Sequence, residues 1–382
     1  MSNSPKVLWV GPLWDMTGYA HATNASLLAL EAAGIDVIAR AVHLTNQKGP
    51  PPIKVQELEK KSGKPDVIIQ HMLPPLMSHI GNVPNIGYFH WETSNFRKSG
   101  WQYPLNLMNQ LWVSCRQNEN ACVNSSIQPP VKTVKIPLDL ESYKLDGPVL
   151  LNGLKDKYVF YCIGDWSTRK DMEAVIRAYY YAFTSTDHVI LILKTYIDNT
   201  SPQQSEQRIT AAINEIKAQM RLHHNPKRYP PVVIITKYLP EESIHALHRQ
   251  GNCYVTAERG AAWNIPAAEA IAFGNAVITG DFGGPSEYMR NDPNTGLHIC
   301  ESVPRQCYGM NHSYRGVYTA NESWGIVDDV ELGVVMKYRF DSSKNAAKFE
   351  RTGVRAEILE ELAPARCGET MKQHIMEVLN AN

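Results

Sequence analysis

Short apolar runs alternate with helical patterns along almost the whole chain, which predicts strands joined by helices. In the first part, the predicted strands are Val7–Val10, Asp36–Ala41, Val67–Gln70, Ile86–Phe89, Gln110–Ser114 and Val131–Ile136, with a helix over Tyr19–Ala33. In the second part, they are Val159–Cys162, Val189–Lys194, Val232–Thr236, Asn252–Thr256 and Ala276–Thr279. The helices predicted there are Lys170–Phe183, Ser205–Met220, Glu241–Arg249 and Pro266–Phe273. Strands that alternate with helices form parallel sheets, so we predict an α/β protein with two doubly wound, Rossmann-like sheets.

Breaks in this pattern predict the domain boundaries. Turn-forming stretches, Asp-Gly-Pro and Asn-Gly, interrupt regular structure at Leu145–Lys157. We therefore predict a first domain over residues 1–148 and a second over 149–355, since 382 residues are too many for one core. A last helical pattern, broken at Pro364, predicts a helical segment over 356–382. Ligands of parallel sheets bind at the carboxyl ends of the strands, so we expect a substrate in a cleft between two facing sheets.

Composition gives no reason to expect nucleic acid or an anionic membrane as a partner. Lysine plus arginine and aspartate plus glutamate both number 38, and the formal net charge is zero. No apolar segment reaches the ~18 residues that cross a bilayer, and the first residues lack the pattern of a signal peptide. Seven cysteines, an odd number, suit reduced thiols. We therefore expect a soluble protein of the cytoplasm.

The segment from Glu258 to Ile278 carries the strongest functional signal. Pro266 suits a helix start, where its missing N–H is no loss, and Gly274 suits the helix end. The free N–H groups and positive dipole end of such a helix form a seat for phosphate. Glu269, expected in the first turn, is placed to accept two hydrogen bonds from a sugar diol. A carboxylate that only complements the helix dipole is the alternative.

This segment resembles the donor-binding motif of the retaining GT-B glycosyltransferases of family 4 (glycosyl transferases group 1), whose usual form is Glu-Gly-Phe-Gly-x-Pro-x-x-Glu-Ala. The matching residues are Trp263, Pro266, Glu269, Ala270, Gly274, Ala276, Val277 and Ile278. The resemblance implies a GT-B fold, with the first domain on the acceptor side and the second binding the nucleotide sugar. It implies donor binding by Trp263, Asn264, Ile265, Pro266 and Glu269, with Glu269 on the ribose. The family's first glutamate falls on Ala261, and Glu258 replaces it only if the loop bulges.

Two polar segments of the first domain follow predicted strands. Gly18 at a helix start lets backbone N–H groups approach an anion, although a glycine needed only for the turn is the alternative. His90 and Glu92 emerge at the carboxyl end of Ile86–Phe89, where a hydrogen-bonded loop histidine is the alternative. The resemblance implies that Gly18 lies near the donor diphosphate and that His90 contacts the transferred sugar. It places Tyr19 and Glu92 on the acceptor side.

A pair of cations, Arg169 and Lys170, is expected in the first turn of the helix Lys170–Phe183. Cations there oppose the helix dipole unless an anion is bound. The resemblance implies that they clamp the donor phosphates and neutralise the leaving nucleotide, with Lys170 on the family's lysine. Asp165 and the glycine before it stand where the family has an arginine, so Arg169 or Lys194 has to substitute for it. Solvated surface charges are the alternative.

Two further features have simpler explanations. His298, Cys300, Cys307 and His312 are conceivable zinc ligands, but their spacing fits none of the usual zinc motifs. Any zinc there is expected to be structural. Gly283-Gly284 matches a turn of the same family, and turn chemistry alone explains it.

Together these features predict a retaining glycosyltransferase that moves a hexose or pentose from a nucleotide sugar to a hydroxyl acceptor, without a metal or other cofactor. The nucleotide (UDP, GDP or ADP), the oligomeric state and the acceptor stay open, the last being a glycan or lipid-linked sugar, a protein, a small molecule or a modified nucleobase. One alternative is a non-catalytic sugar-nucleotide or glycan binding protein, favoured by Ala261. The other is a glycan phosphorylase-like enzyme, for which we identify no pyridoxal-bearing lysine.

Overall fold

The computed structural model describes residues 4–280, 282–288, 302–306, 317–319, 322–342 and 354–381. These residues form two compact units. The first unit takes the described residues within Met1–Leu140, Tyr314–Ser323 and Ala356–Asn382, and the second takes those within Glu141–Ser313 and Trp324–Arg355.

The first unit is built on a six-stranded sheet in which every strand pair is parallel. The strand order is β2-β1-β3-β4-β5-β6, so the direction of winding reverses between β1 and β3. The loops after these two strands flank the crevice where doubly wound sheets bind ligands. The elements are β1 (Lys6–Gly11), α1 (Gly18–Ala32), β2 (Asp36–Ala41), α2 (Ile53–Lys60), β3 (Val67–His71), β4 (Asn85–Tyr88), α3 (Gln102–Leu105), β5 (Gln110–Val113), α4 (Arg116–Asn124) and β6 (Val131–Thr133).

The second unit is built on a five-stranded parallel sheet of order β11-β10-β7-β8-β9. Here the winding reverses between β7 and β10, which makes the loops after those strands the expected ligand site. The elements are β7 (Tyr158–Asp165), α5 (Met172–Ala182), β8 (Val189–Tyr196), α6 (Pro202–Met220), β9 (Val232–Ile235), α7 (Glu241–Gln250), β10 (Cys253–Val255), α8 (Ile265–Ala272) and β11 (Ala276–Ile278).

The last elements complete both units. In the second unit, α9 packs on α5, and in the first unit, α11 packs on α1. Gly368 allows the second contact, because a Cβ there would lie 2.1 Å from the carbonyl oxygen of Ala29. The bounds are β12 (Ser302–Gln306), β13 (Ser323–Val327), α9 (Asp329–Ser342), α10 (Val354–Glu361) and α11 (Pro364–Ala381), with β12 and β13 paired in a small sheet.

Apolar strand residues form the core of each sheet, as expected for strands covered by helices on both faces. In the second unit, Phe160, Leu191 and Val255 from three strands pack in one buried cluster with Val175 and Tyr179 of α5. In the part of the chain that the structure describes, no helix is long and apolar enough to span a membrane. The location in the cytoplasm stays a prediction.

Candidate functional site

The loops after β7 and β10 bring a cation and a carboxylate together at the reversal point of the second sheet. Lys170 donates a hydrogen bond to Glu258, with Nζ and Oε2 2.5 Å apart. Glu258 is 2% exposed, and its other oxygen accepts a hydrogen bond from the side-chain amide of Asn264. We call these three residues the Lys170–Glu258–Asn264 chain. It connects both sides of the reversal point to the start of α8.

Helix α8 has the predicted proline start and glycine end. Asn264 is its N-cap, with a left-handed backbone (φ 65°) that asparagine tolerates better than most residues. Pro266 lies within the first two helical positions, and Gly274, with φ 79°, follows the end. The expectation that Glu269 lies in the first turn is wrong. Because the helix begins at Ile265, no acidic residue falls in that turn, and Glu269 comes just after it.

Glu269 is a buried carboxylate with hydrogen-bonding neighbours. The Tyr143 hydroxyl donates to its Oε1 at 3.4 Å, and Nε2 of His248 lies 3.3 Å from its Oε2. His248 is fully buried, and its Nδ1 lies 2.7 Å from the hydroxyl of Tyr161. A carboxylate accepts several hydrogen bonds at once, which is the chemistry that a ribose diol requires. Tyr143 and His248 were not predicted from the sequence, because nothing beside them in the chain marks their link to Glu269.

The two cations after β7 lie outside helix α5, so the expectation that they occupy its first turn is wrong. The helix begins at Met172, and the side chain of Asp171 caps it by accepting a hydrogen bond from the N–H of Ala174. An aspartate directly after Arg169 and Lys170 thus satisfies the helix end instead of a bound anion. The helix dipole therefore gives no reason to expect an anion beside these cations. Any role in binding has to be inferred from the contacts that Arg169 and Lys170 make.

Arg169 and Lys170 have different partners. Nη1 of Arg169 donates to the carbonyl of Gly260 at 2.8 Å, and the Arg169 carbonyl accepts from the N–H of Arg259 at 2.7 Å. These bonds hold the loop after β7 against the loop after β10. Burial raises the pKa of Asp165, but the charges of Arg169 and Lys170 lower it below its usual value overall. The site therefore contains carboxylates as well as cations.

Lys194 is a buried cation at the same edge of the sheet. It lies in β8 opposite Ile163 of β7 and is 9% exposed. Within the described residues, its ammonium forms no hydrogen bond or ion pair, and Nζ lies 5.7 Å from the ring centroid of Tyr196. Burial lowers the pKa of Lys194. A buried ammonium without an anion costs free energy, so an anionic ligand would stabilise it.

Trp263 and the Gly283-Gly284 turn pack against each other. The Trp263 ring is 3% exposed and meets the ring of Tyr288 edge-on, with centroids 5.1 Å apart. A Cβ on Gly284 would lie 2.2 Å from the Cα of Trp263, and Gly283 has φ 72°. The two glycines are therefore required by the close approach of backbone to backbone. This agrees with the expectation that turn chemistry alone explains them.

In the first unit, the predicted residues lie at the carboxyl edge of the sheet. Gly18 is the exposed first residue of α1. The Tyr19 hydroxyl accepts a hydrogen bond from the N–H of His90 at 3.1 Å, and the two rings meet edge-on at 4.8 Å. Glu92 accepts a hydrogen bond from the Tyr318 hydroxyl at 2.8 Å. Tyr19 and His90 thus form one local site.

Both ring nitrogens of His90 have partners inside the first unit. Nε2 lies 3.0 Å from Nε2 of His71, and Nδ1 lies 3.1 Å from the hydroxyl of Ser114. Burial lowers the pKa of His90 to about 3. The sequence analysis missed His71, although a polar residue directly after the predicted strand Val67–Gln70 is the same signal that marked His90.

The conceivable zinc ligands His298, Cys300, Cys307 and His312 lie outside the described residues. In the ranges that the structure does describe, no group of three or more His, Cys, Asp or Glu side chains is placed to hold a metal ion.

Comparisons with known proteins agree with this geometry. Residues 152–305, which include β7, β10 and α8, match the family model of glycosyl transferases group 1. A search of curated proteins gives no significant match. Among solved structures, Anabaena Alr3699/HepE in complex with UDP and glucose is similar, with a TM-score of 0.66 and 12% identity over 98% of this chain and 100% of that one.

Two further structures are similar over nearly their whole length. An E. coli structure described as trehalose-6-phosphate bound with UDP-2-fluoro glucose has a TM-score of 0.63 and 11% identity, over 98% of this chain and 99% of that one. The N-terminal domain of Candida albicans trehalose-6-phosphate phosphatase has a TM-score of 0.59 and 10% identity, over 99% and 97%.

The fold and the matched domain define a nucleotide-sugar glycosyltransferase of the GT-B type. Within that class, the segment 152–305 of this chain matches the glycosyl transferases group 1. The predicted α/β fold, the group and the enzyme class are therefore confirmed.

Proposed function

We propose that this glycosyltransferase moves a sugar from a nucleotide-sugar donor to a hydroxyl acceptor with retention of configuration and without a metal ion. The observation that carries the proposal is the Lys170–Glu258–Asn264 chain, which spans the reversal point of the second sheet and ends at the N-terminus of α8. A doubly wound sheet binds its ligand at this point, and a helix N-terminus favours phosphate. Retention is supported by the resemblance of the donor motif to family 4.

In this proposal, Lys170 and Lys194 hold the donor diphosphate. Lys170 is paired with Glu258, so the diphosphate competes with that carboxylate for the ammonium. Lys194 supplies a second charge and substitutes for the family's arginine, whose place Asp165 takes. Nη1 of Arg169 donates to a backbone carbonyl, and in this proposal its guanidinium also contacts phosphate.

The remaining roles follow the chemistry of the other buried groups. Glu269 accepts hydrogen bonds from the ribose diol. The loop around the donor is shaped by Trp263, Ile265 and Pro266. His90 contacts the transferred sugar. The acceptor proton passes to the leaving phosphate, so the reaction needs no side-chain base. Gly18 lies near the diphosphate, with Tyr19 and Glu92 on the acceptor side.

The decisive experiment is a donor panel assayed for release of nucleoside diphosphate, with cell extract as the source of acceptor. UDP-sugars come first, because HepE was solved with UDP and glucose and with UDP-glucose. We expect release from at least one sugar nucleotide, and a product whose anomeric configuration by NMR equals that of the donor. An inverted product would contradict retention. Tight donor binding by calorimetry without any turnover would favour the non-catalytic binding protein.

Activity should survive complete chelation, because side-chain cations and a helix N-terminus supply the positive charge at the leaving diphosphate. We expect unchanged turnover of the active sugar nucleotide in excess EDTA. Circular dichroism checks that the fold is intact under the same conditions. Loss of activity that magnesium or manganese restores would contradict a metal-free reaction. Restoration of activity by zinc alone would instead indicate a zinc site, for which the candidate ligands are His298, Cys300, Cys307 and His312.

Replacing Lys194 by methionine should weaken binding of the nucleoside diphosphate and stabilise the donor-free protein. Methionine keeps an unbranched apolar stem and removes a buried charge that opposes folding. A charge-assisted hydrogen bond is worth about 1.5–3 kcal/mol, which corresponds to about 10- to 150-fold in the dissociation constant. Calorimetry and thermal unfolding measure the two effects, with exposed Lys227→Met as the matched control. A higher Tm with unchanged affinity would remove Lys194 from the phosphate site.

A further inference from the structure

The carboxyl edge of the first sheet contains two histidines whose rings meet edge-on, in planes 67° apart. His71 ends β3, His90 follows β4, and their Nε2 atoms lie 3.0 Å apart. The Thr23 hydroxyl lies 2.9 Å from Nδ1 of His71, and the Ser114 hydroxyl lies 3.1 Å from Nδ1 of His90. Four side chains from four segments thus form one line of three hydrogen bonds. We call it the histidine line.

The contact between the two Nε2 atoms links the tautomers of the two rings. A hydrogen bond needs one donor and one acceptor, so only one of the two Nε2 atoms carries a proton. If His71 donates, its Nδ1 accepts from Thr23, and Nδ1–H of His90 donates to Ser114. If His90 donates, every direction reverses. In both cases, two uncharged imidazoles in this contact have opposite tautomers.

Packing holds the histidine line in place. His71 is fully buried and stacks on Tyr88, with ring centroids 4.2 Å apart and planes 15° apart. The Tyr19 ring packs against both imidazoles, at 5.3 and 4.8 Å. A Cβ on Gly11 would lie 3.0 Å from Cγ2 of Thr23 and 3.1 Å from the carbonyl oxygen of His71. Burial raises the pKa of both tyrosines and lowers that of both histidines, so all four rings are uncharged near neutral pH.

We propose that His71 is a positioning residue, which fixes the orientation of the His90 ring and couples the tautomer of His90 to its own through their shared proton. The inference rests on the proposed function, in which His90 contacts the transferred sugar. Because both of its ring nitrogens are engaged inside the unit, His90 can offer a sugar only the C–H groups of its ring, and His71 sets where they lie. Positive charge develops on the sugar as the glycosidic bond breaks. An uncharged imidazole does not oppose that charge, whereas an imidazolium would repel it.

The histidine line has a direct spectroscopic signature. In the full chain labelled with ¹⁵N-histidine, we expect a two-bond ¹⁵N–¹⁵N coupling between Nε2 of His71 and Nε2 of His90. We also expect both rings to stay uncharged between about pH 5 and pH 8, the range in which an ordinary histidine titrates. An absent coupling would overturn the shared proton, and a charged ring at neutral pH would overturn the uncharged pair.

Kinetics test the positioning role, with donor turnover measured on the sugar nucleotide that the panel identifies. We expect His71→Ala to lower kcat by about 10- to 100-fold, the scale of a misplaced group, while KM for the donor stays unchanged. His71→Gln should recover part of the loss, because its amide can donate to His90. Exposed His79→Gln, the same change in the loop after β3, should behave as the unaltered chain.

The outcomes separate this inference from the proposed function. An unaltered kcat in His71→Ala would overturn the positioning role even if the coupling is present. A loss that His71→Gln does not relieve, together with a lower Tm in both variants, would assign His71 to stability alone. If the proposed function is wrong, the unaltered chain itself will release no nucleoside diphosphate.

Discussion

Replacing Lys170 by methionine should lower kcat for sugar-nucleotide turnover by about 100- to 1000-fold, with a much smaller change in donor affinity. Negative charge grows on the diphosphate as the glycosidic bond breaks, and only interactions that strengthen in the transition state accelerate the reaction. Methionine keeps a stem of similar length and removes the ammonium. Steady-state kinetics and calorimetry measure the two effects. A higher KM with unchanged kcat would make Lys170 a binding residue only.

The ion pair with Glu258 requires a control, because removing one partner leaves a buried carboxylate without its cation, and such changes can cost about 3–5 kcal/mol of stability. In the double variant Lys170→Met/Glu258→Gln, both charges are gone, and a glutamine oxygen can still accept the hydrogen bond from Asn264. We expect the double variant to unfold at a higher temperature than Lys170→Met and to stay as inactive. Recovery of turnover would show that Lys170 acts only by pairing with Glu258. Exposed Lys227→Met controls for loss of a lysine in the same unit.

The alternation of strands and helices could be predicted because each core strand is a short apolar run between helical patterns. The structure has a strand or helix at every predicted position, with ends displaced by a few residues. Four helices, α2, α3, α4 and α9, were missed, and α2 and α4 show why. Helix α2 buries only Val55 and Leu58, and α4 buries an asparagine with a small residue and a cysteine. Neither has an apolar stripe that a periodicity search can find, so their packing exists only in the folded unit.

Helix starts at the site were harder to predict than helix positions. Asp171 and Asn264, the N-caps of α5 and α8, both have left-handed backbones, with φ 44° and 65°. An N-cap is usually extended, so ordinary capping rules do not give this geometry. Each lies in a loop that flanks the reversal point of the second sheet. Unusual backbone conformations of non-glycine residues concentrate at functional sites, which fits this position.

The sequence predicted the residues of the site as separate motifs. It did not predict the contacts between those motifs. Lys170 and Glu258 came from motifs 88 residues apart, and no rule of spacing pairs them. His71 contacts His90, and His248 contacts Glu269, each from a different strand or helix. These contacts exist only in the assembled unit, so the sequence around each histidine does not reveal them. Sequence patterns report local structure, whereas a buried polar network is a property of the packed unit.

Replacing Glu269 by glutamine should raise the dissociation constant of the nucleoside diphosphate by about 10- to 150-fold. A charged acceptor contributes about 1.5–3 kcal/mol per hydrogen bond, and the ribose diol offers two donors. Glutamine keeps the shape of the side chain and an oxygen that can accept from Tyr143 or His248. The fold should therefore persist, and thermal unfolding checks that it does. Calorimetry measures the affinity, with exposed Glu206→Gln of α6 as the control.

A nucleotide without the ribose hydroxyls separates a direct contact from an indirect one. With the 2′,3′-dideoxy nucleoside diphosphate, the unaltered protein should already bind weakly, and Glu269→Gln should cause almost no further loss. The two changes remove the same interaction, so their free energies should not add. An equal loss for both nucleotides would mean that Glu269 acts through its bonds to Tyr143 and His248. In that case, the carboxylate supports the loop around α8 and does not bind the ribose.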